Sequence, residues 1–371
     1  MINTRTNRNF VSLEGLRGYM AWAVVFSHAI TFTGLGASLS LVLALLANGN
    51  KAVNVFIILS GFVITHLVTS KSEPYKPYIL RRAMRIVPIY LVCLALALTF
   101  IHAQVQFHTA SWVGKRSIYQ QGFDIPLQNP LPYLLLHLTL LHGAVPDNLL
   151  DFSAWAFLGP AWSLSLEWQF YLIAPFLIVI LQRSLVSQVL TSIALLAIYV
   201  YVMHFAVWHW TYPSMLFCSI HLFLIGILSR LWFDRLVLAP LWVPVVVNLL
   251  VLLCFRALWW ELSIWTVFLL AALLECRDEG AGGRWRAALR VLTANPVILR
   301  LGKASYSTYL AHIIVFSVVV GVGRDFGFVS QRCVIVLVGM AILLVVPISF
   351  LLYNYIEKPC IGLGQRMAKR L

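Results

Sequence analysis

The apolar residues of this chain are gathered into long runs separated by short polar stretches. A helix that crosses a bilayer core needs ~20 consecutive apolar residues. Runs of about that length fall near 11–33, 51–70, 78–102, 161–182, 187–207, 212–233, 237–255, 258–276, 304–323 and 333–356. They predict an all-α polytopic membrane protein of about ten transmembrane helices, in one membrane domain over 1–371 with no appended soluble domain. The first run has no small-residue cleavage site after it, so it reads as a retained span and not as a signal peptide. No repeat is visible between the two halves, which counts against a two-fold transporter.

Two connections are more than links. The 103–160 loop carries five prolines together with Trp112, Tyr119, Tyr133 and Trp155. Within it, LPYLLLHLTLLH (131–142) is apolar but too short to cross, so it is expected to lie in the interface or to re-enter. The loop aromatics suit either stacking on sugar rings or an interfacial aromatic belt, and the belt is the simpler reading. The 277–300 segment, RDEGAGGRWRAALRVLTANPVILR, is Gly-broken and Arg-rich. It reads as an amphipathic turn facing lipid headgroups.

Composition supports the membrane reading: 61% hydrophobic and 11% charged residues exceed what a soluble core of this size requires. A net charge of +14 invites a nucleic-acid reading, but its distribution excludes one. With the N-terminus inside, only Lys51, Lys115, Arg116, Arg256, Arg324 and Arg332 of the 27 Lys and Arg fall on the outer side. This asymmetry is the positive-inside rule, and it puts both termini in the cytoplasm. The six cysteines (Cys93, Cys218, Cys254, Cys276, Cys333, Cys360) are scattered without C-x-x-C spacing. They read as free thiols, with neither a disulfide framework nor a metal site.

Ionisable groups within spans are costly and call for a partner or a function. The first span holds Glu14, Arg17 and His28. The eleven-residue step from Arg17 to His28 turns about 1100°, within roughly 20° of whole turns, so the two share a helix face. Glu14 lies one turn below Arg17 and can pair with it. His28 is either a core histidine bonded to a neighbouring helix or a functional imidazole. In YKPYILRRAMRIVPIY (75–90), Arg81, Arg82 and Arg85 crowd the inner mouth of the third span below Pro88. By spacing Arg81 and Arg85 share a face, with Arg82 about 60° from Arg85. The three are either topology-setting charge or a phosphate clamp of bidentate donors. GPAWSLSLEWQFYLIAPF (159–176) carries Glu167 into the fourth span, with Ser163 one turn before it on nearly the same face. Glu167 is either a buried ionic partner or a proton-handling group. LGKASYSTYLAHIIV (301–315) brings Tyr306 and His312 to the polar entry of the ninth span.

In order, LEGLRGYMAWAVVFSH, VNVFIILSGFVI, YILRRAMRIVPIY, PAWSLSLEWQFYL, LGKASYSTYLAH and YIEKP resemble the motifs of the integral-membrane acyltransferase family 3. The resemblance runs from about residue 9 to 359. It implies an O-acyltransferase of the bacterial inner membrane that modifies surface polysaccharides, such as lipopolysaccharide O-antigen or exopolysaccharide. The implied donor substrate is an acyl-CoA, typically acetyl-CoA, with no permanently bound cofactor. The implied acceptor is a glycan or glycolipid. The family's R-x10-H corresponds to Arg17 and His28, and its R-x-x-R to Arg82 and Arg85 with Arg81 alongside. Its W-S-L-S-x-E-W corresponds to Trp162, Ser163, Ser165, Glu167 and Trp168. Two positions depart from the pattern: the acid before G-L-R-G, commonly Asp, is Glu14, and Asn54 stands where the second motif commonly has Asp.

With this resemblance the polar stripe implies a path. Arg17, Arg81, Arg82 and Arg85 hold the acyl-CoA at the inner mouth, and the thioester rises towards His28. His28 and Glu167 are the catalytic candidates, supported by Glu14, Trp162, Ser163, Ser165 and Tyr306. A neutral imidazole takes the acceptor hydroxyl's proton or is itself transiently acylated. Glu167 orients the imidazole or binds the sugar. The competing reading is a secondary transporter or glycan flippase, in which the same Glu and His relay protons without chemistry.

Overall fold

A computed structural model describes residues 10–35, 48–70, 73–240, 242–277 and 283–371. Among them every regular element is helical. The chain forms α1 (Val11–Thr33), α2 (Gly49–Ser70), α3 (Tyr75–Thr99), α4 (Ile101–His108), α5 (Arg116–Gln128), α6 (Pro130–Thr139), α7 (Trp162–Gln182) and α8 (Leu185–His204). It continues through α9 (Leu216–Leu238), α10 (Trp242–Cys254), α11 (Trp259–Glu275), α12 (Gly283–Thr293), α13 (Pro296–Lys303), α14 (Ser305–Asp325) and α15 (Gln331–Leu352). A π-helical turn, Tyr353–Glu357, leads into α16 (Lys358–Ala368). Arg5, Arg8 and Lys71, which count towards the charge asymmetry, lie outside the described residues, as do the side chains of Arg284 and Cys254.

Eight helical stretches among the described residues are long and apolar enough to cross a membrane: α2, α3, α7, α8, α9, α11, α14 and the α15–α16 run. The protein is therefore an all-α polytopic membrane protein. α1 matches them in length at 23 residues, but Glu14, Arg17 and His28 interrupt its apolar run. The 237–255 run is divided, because α9 extends to Leu238 and takes its first residues. What remains is the 13-residue α10, about 20 Å long and short of a ~30 Å hydrocarbon core.

α1 is the hub of the packing, touching α2, α11, α12, α13, α14 and α15. The most extensive pairing joins α2 to α9. It depends on two facing glycines: a Cβ on Gly226 would lie 1.9 Å from the Ile58 carbonyl oxygen, and one on Gly61 would lie 2.4 Å from that of Phe223. Lipid offers no hydrophobic force to press helices together, so close backbone approach through small residues does that work.

Both long connections are more integrated than their sequences suggest. α6 turns His137 into the protein, fully buried, and leaves Leu131, Leu135 and Leu138 exposed on the opposite stripe. The His137 and His142 rings stack 4.0 Å apart, and Tyr90 of α3 bonds His137 Nδ1 at 2.7 Å. The loop aromatics do not form a belt: Tyr133 and Trp155 are buried in the core. In the second connection, α12 and α13 pack against α1 and are not merely a headgroup-facing turn. Asn295 caps α13 by accepting the Ile298 N–H at 2.9 Å, and Tyr19 of α1 donates to the Leu292 carbonyl at 2.8 Å.

Two outcomes check this architecture. A cysteine introduced at Lys115 is expected to react with an impermeant maleimide from the extracytoplasmic side; reaction from the cytoplasm alone would overturn the orientation given by the charge asymmetry. Gly226→Val is expected to separate α2 from α9 and lower the melting temperature in detergent, since overpacking costs about 1–3 kcal/mol. Wild-type melting would show that this close approach is dispensable.

Candidate active site

α1 sets the axis of the site. Its regular turns place Arg17 and His28 on one face, about 16 Å apart along the helix. Each opens into a different cavity. The inner one, at the Arg17 end of α1, is lined by Arg17, Arg82, Arg85, Glu167, Tyr171 and Tyr306, among others. The outer one, at the His28 end, takes in His28 and Trp162. Val53 and Tyr309 line both, so the two cavities lie back to back across a shared wall.

The inner cavity concentrates charge. Arg17 Nη1 donates to Glu14 Oε2 at 2.9 Å, which fixes its guanidinium. Arg82 lies over the face of Tyr171, its guanidinium carbon 5.8 Å from the ring centre. Glu167 Oε1 accepts from Ser60 Oγ at 3.2 Å and from the Tyr171 hydroxyl. Glu357, buried in the π-helical turn, accepts from Ser307 Oγ at 2.7 Å, and both Glu357 and Glu167 act electrostatically on Arg85. Arg82 Nε and the Tyr306 hydroxyl are buried without a hydrogen-bond partner. Buried donors left unpaired beside two guanidiniums suit an anionic ligand.

In the outer cavity His28 is paired with a second imidazole. His28 Nδ1 and His312 Nε2 are 2.8 Å apart, with ring planes within 11° of each other. His312 Nδ1 lies 3.1 Å from the Thr308 carbonyl, which can only accept. The network therefore assigns the proton of a neutral His312 to Nδ1, leaving Nε2 to accept from His28 Nδ1–H. His28 Nε2 then carries a lone pair. At the shared wall, the Tyr309 hydroxyl donates to the Pro160 carbonyl at 2.9 Å, so Ser163 Oγ must donate to Tyr309 across their 2.8 Å contact.

Several of the residues singled out in the sequence meet here, and others do not. Arg17, Arg82, Arg85, Glu167, Ser163 and Tyr306 share the inner cavity, and Glu14 supports Arg17. Arg81 turns aside to an ion pair with Glu73. Spacing favoured Arg81 as the companion of Arg85, but the cavity lies on the side of α3 that Arg82 faces. Ser165 is a brace for the outer loop: it accepts the Gly143 N–H at 3.0 Å and donates to the Leu140 carbonyl at 2.7 Å. Glu167 lines the inner cavity and His28 the outer, so Glu167 does not orient the imidazole. Asn54 donates to Glu261 Oε1 at 2.9 Å, which brings an acid to that position from α11. Ser60, Tyr171, His312 and Glu357 also join the site: each lies within one of the quoted motifs, but no spacing along the chain joins these motifs to one another. His312 had two cues, its place in a polar cluster opening the ninth span and at the end of the LGKASYSTYLAH motif, but neither paired it with His28.

The family model of the acyltransferase domain matches residues 10–354. The chain belongs to acyltransferase family 3. No curated protein matches it, and no solved structure does.

Proposed function

We propose that this membrane acyltransferase moves an acyl group, in the simplest case acetyl, from cytoplasmic acyl-CoA to a hydroxyl of an extracytoplasmic glycan at the bacterial inner membrane. The observation that carries the reading is the pair of back-to-back cavities, guanidiniums in one and a hydrogen-bonded imidazole in the other, meeting at Val53 and Tyr309. Arg82 and Arg85, with Arg17 across the cavity, hold the coenzyme's phosphates, and the thioester end reaches the shared wall.

The chemistry follows from the proton arrangement. His28 Nε2 takes the acceptor hydroxyl's proton as its oxygen attacks the thioester carbonyl. The new C–O bond forms, the C–S bond breaks, and the departing thiolate recovers the proton from the imidazolium. His312 holds His28 in the tautomer that exposes Nε2, as a backbone or carboxylate acceptor does for other catalytic imidazoles. A covalent variant, in which Nε2 is acylated first, uses the same tautomer.

Three expected outcomes test this reading. Arg82→Ala or Arg85→Ala weakens acetyl-CoA binding, measured by calorimetry, roughly ten- to a hundredfold, the range for one charge-assisted contact. Lys at either position restores it only in part, lacking the planar fork. Unchanged affinity in a folded double variant would return both arginines to topology alone.

His28→Gln keeps acetyl-CoA affinity but lowers acyl transfer from labelled acetyl-CoA by about 10²–10⁴. Near wild-type transfer would make the imidazole structural. A labelled acyl-His28 trapped without acceptor would identify the covalent variant.

His312→Asn, whose side-chain oxygen can still accept the Nδ1–H of His28, is expected to retain more transfer than His312→Leu at equal acetyl-CoA affinity. The pH–rate profile of the Leu variant should also be displaced from that of the wild type. Equal losses with superimposable profiles would reduce His312 to packing.

A further inference from the structure

The two cavities differ sharply in charge. None of the described residues lining the outer one is Asp, Glu, Lys or Arg. Its wall is instead a run of rings. Phe32 meets His108 at 4.3 Å between ring centres, His108 meets Tyr119 at 5.7 Å, and Tyr119 meets Trp155 at 5.9 Å. Tyr212 closes the run, 6.5 Å from Trp155 and 5.7 Å from Trp162.

The imidazoles add no fixed charge. His108 bonds the Gln104 carbonyl through Nδ1 at 2.7 Å, and burial pushes it down to about 4, so it is neutral at physiological pH. The His28–His312 contact is satisfied with both rings neutral, each carrying its proton on Nδ1. Polar capacity is still present, because the hydroxyls of Tyr119 and Tyr212 make no hydrogen bond to another described residue, and both residues line the cavity. Aromatic faces with a few uncommitted hydrogen-bonding groups are the composition of a small-molecule pocket. A ligand charge brought here would lose its hydration and meet no counter-charge, which strongly disfavours it.

We propose that the outer cavity is the acceptor chamber and that it admits an uncharged, hydroxyl-bearing ring, such as a neutral sugar unit, while rejecting uronates and cationic amino sugars. This rests on the reading of His28 as the acyl-transfer centre, since that reading is what requires a hydroxyl in this cavity. Ring faces of Trp155 and Tyr212 cover the apolar face of the guest, and the free hydroxyls engage its edge. The selectivity resides in the lining, not in the charge of the protein as a whole, whose +14 would by itself favour anionic guests.

A matched pair of probes tests it. p-Nitrophenyl β-D-glucoside and p-nitrophenyl β-D-glucuronide differ only at the carboxylate, and the nitrophenyl group quenches nearby indoles. Titrated into the purified full chain, the glucoside is expected to quench tryptophan emission with at least about tenfold higher affinity than the glucuronide. Trp155→Phe should remove part of that quenching with acetyl-CoA affinity unchanged. Tyr212→Arg, which adds a cation to the wall, should narrow or reverse the preference. Equal affinities, a preference for the glucuronide, or binding of neither probe would overturn the chamber assignment. Turnover of labelled acetyl-CoA in the same preparation reads the His28 chemistry separately. If transfer proceeds while the probes bind equally, the neutral chamber alone fails; if His28→Gln transfers normally, the acyl-transfer centre fails first.

Discussion

A guanidinium at membrane depth must find a counter-charge, a polar partner or water, and Arg82 and Arg85 impose that demand on the structure around them. The response comes from four separate elements. α7 supplies Glu167 and the ring of Tyr171, and α2 supplies Ser60 to hold Glu167. The π-helical turn supplies Glu357, and α14 supplies Ser307 to hold it. Helices that lipid would not drive together are thus tied at one cluster, where each carboxylate has its own donor. The satisfaction is incomplete at Arg82 Nε and the Tyr306 hydroxyl, on two residues that line the inner cavity. Structural charge pairs close on themselves. A cluster that leaves donors open beside a cavity is what the proposed anionic ligand would need.

α1 connects that cluster to the imidazole above it, and its placement depends on its small residues. Gly15 and Gly18 let α12 and α13 press against its inner half, where a Cβ on Gly15 would lie 1.8 Å from the Thr293 carbonyl oxygen. Higher up, the His28–His312 bond joins α1 to α14. The helix is therefore held at both ends, and the rise between Arg17 and His28 becomes a fixed distance between the two cavities. A flexible connection would not preserve the alignment that acyl transfer needs.

What the sequence disclosed follows from which relations are local. The Arg17–His28 face and the Glu14–Arg17 pair lie within one helix, where periodicity alone determines geometry. The apolar runs gave the helical membrane architecture for the same reason. Residues distant in the chain were another matter: His28 and His312 are separated by 284 positions, and no spacing rule links them. Arg81 shows the limit within a single helix, because periodicity ranks neighbours on a face but does not say which face the cavity takes. The loop aromatics failed similarly. An exposed belt and an inward-facing wall have the same composition, and only the path of 140–161 over the bundle turns Trp155 inward. The acid supplied by Glu261 beside Asn54 was hidden because it arrives from α11, far along the chain.

The contrast between the cavities would also give the proposed reaction a direction. A coenzyme donor carries several negative charges at one end and a neutral thioester at the other. The inner cavity has three guanidiniums for the first, and the wall at Val53 and Tyr309 leads to a chamber lined without ionised side chains. The phosphates would lose their counter-charges on passing that wall, whereas the thioester would lose nothing. On the proposed reading, the donor would therefore enter far enough to present its acyl group and no further. After the proposed transfer, the thiol product would keep the same anionic anchor, while the acylated product, uncharged, would sit beyond the wall. In the proposed reaction, the step in electrostatic environment along α1 would sort the two products to opposite ends of the site without a moving gate.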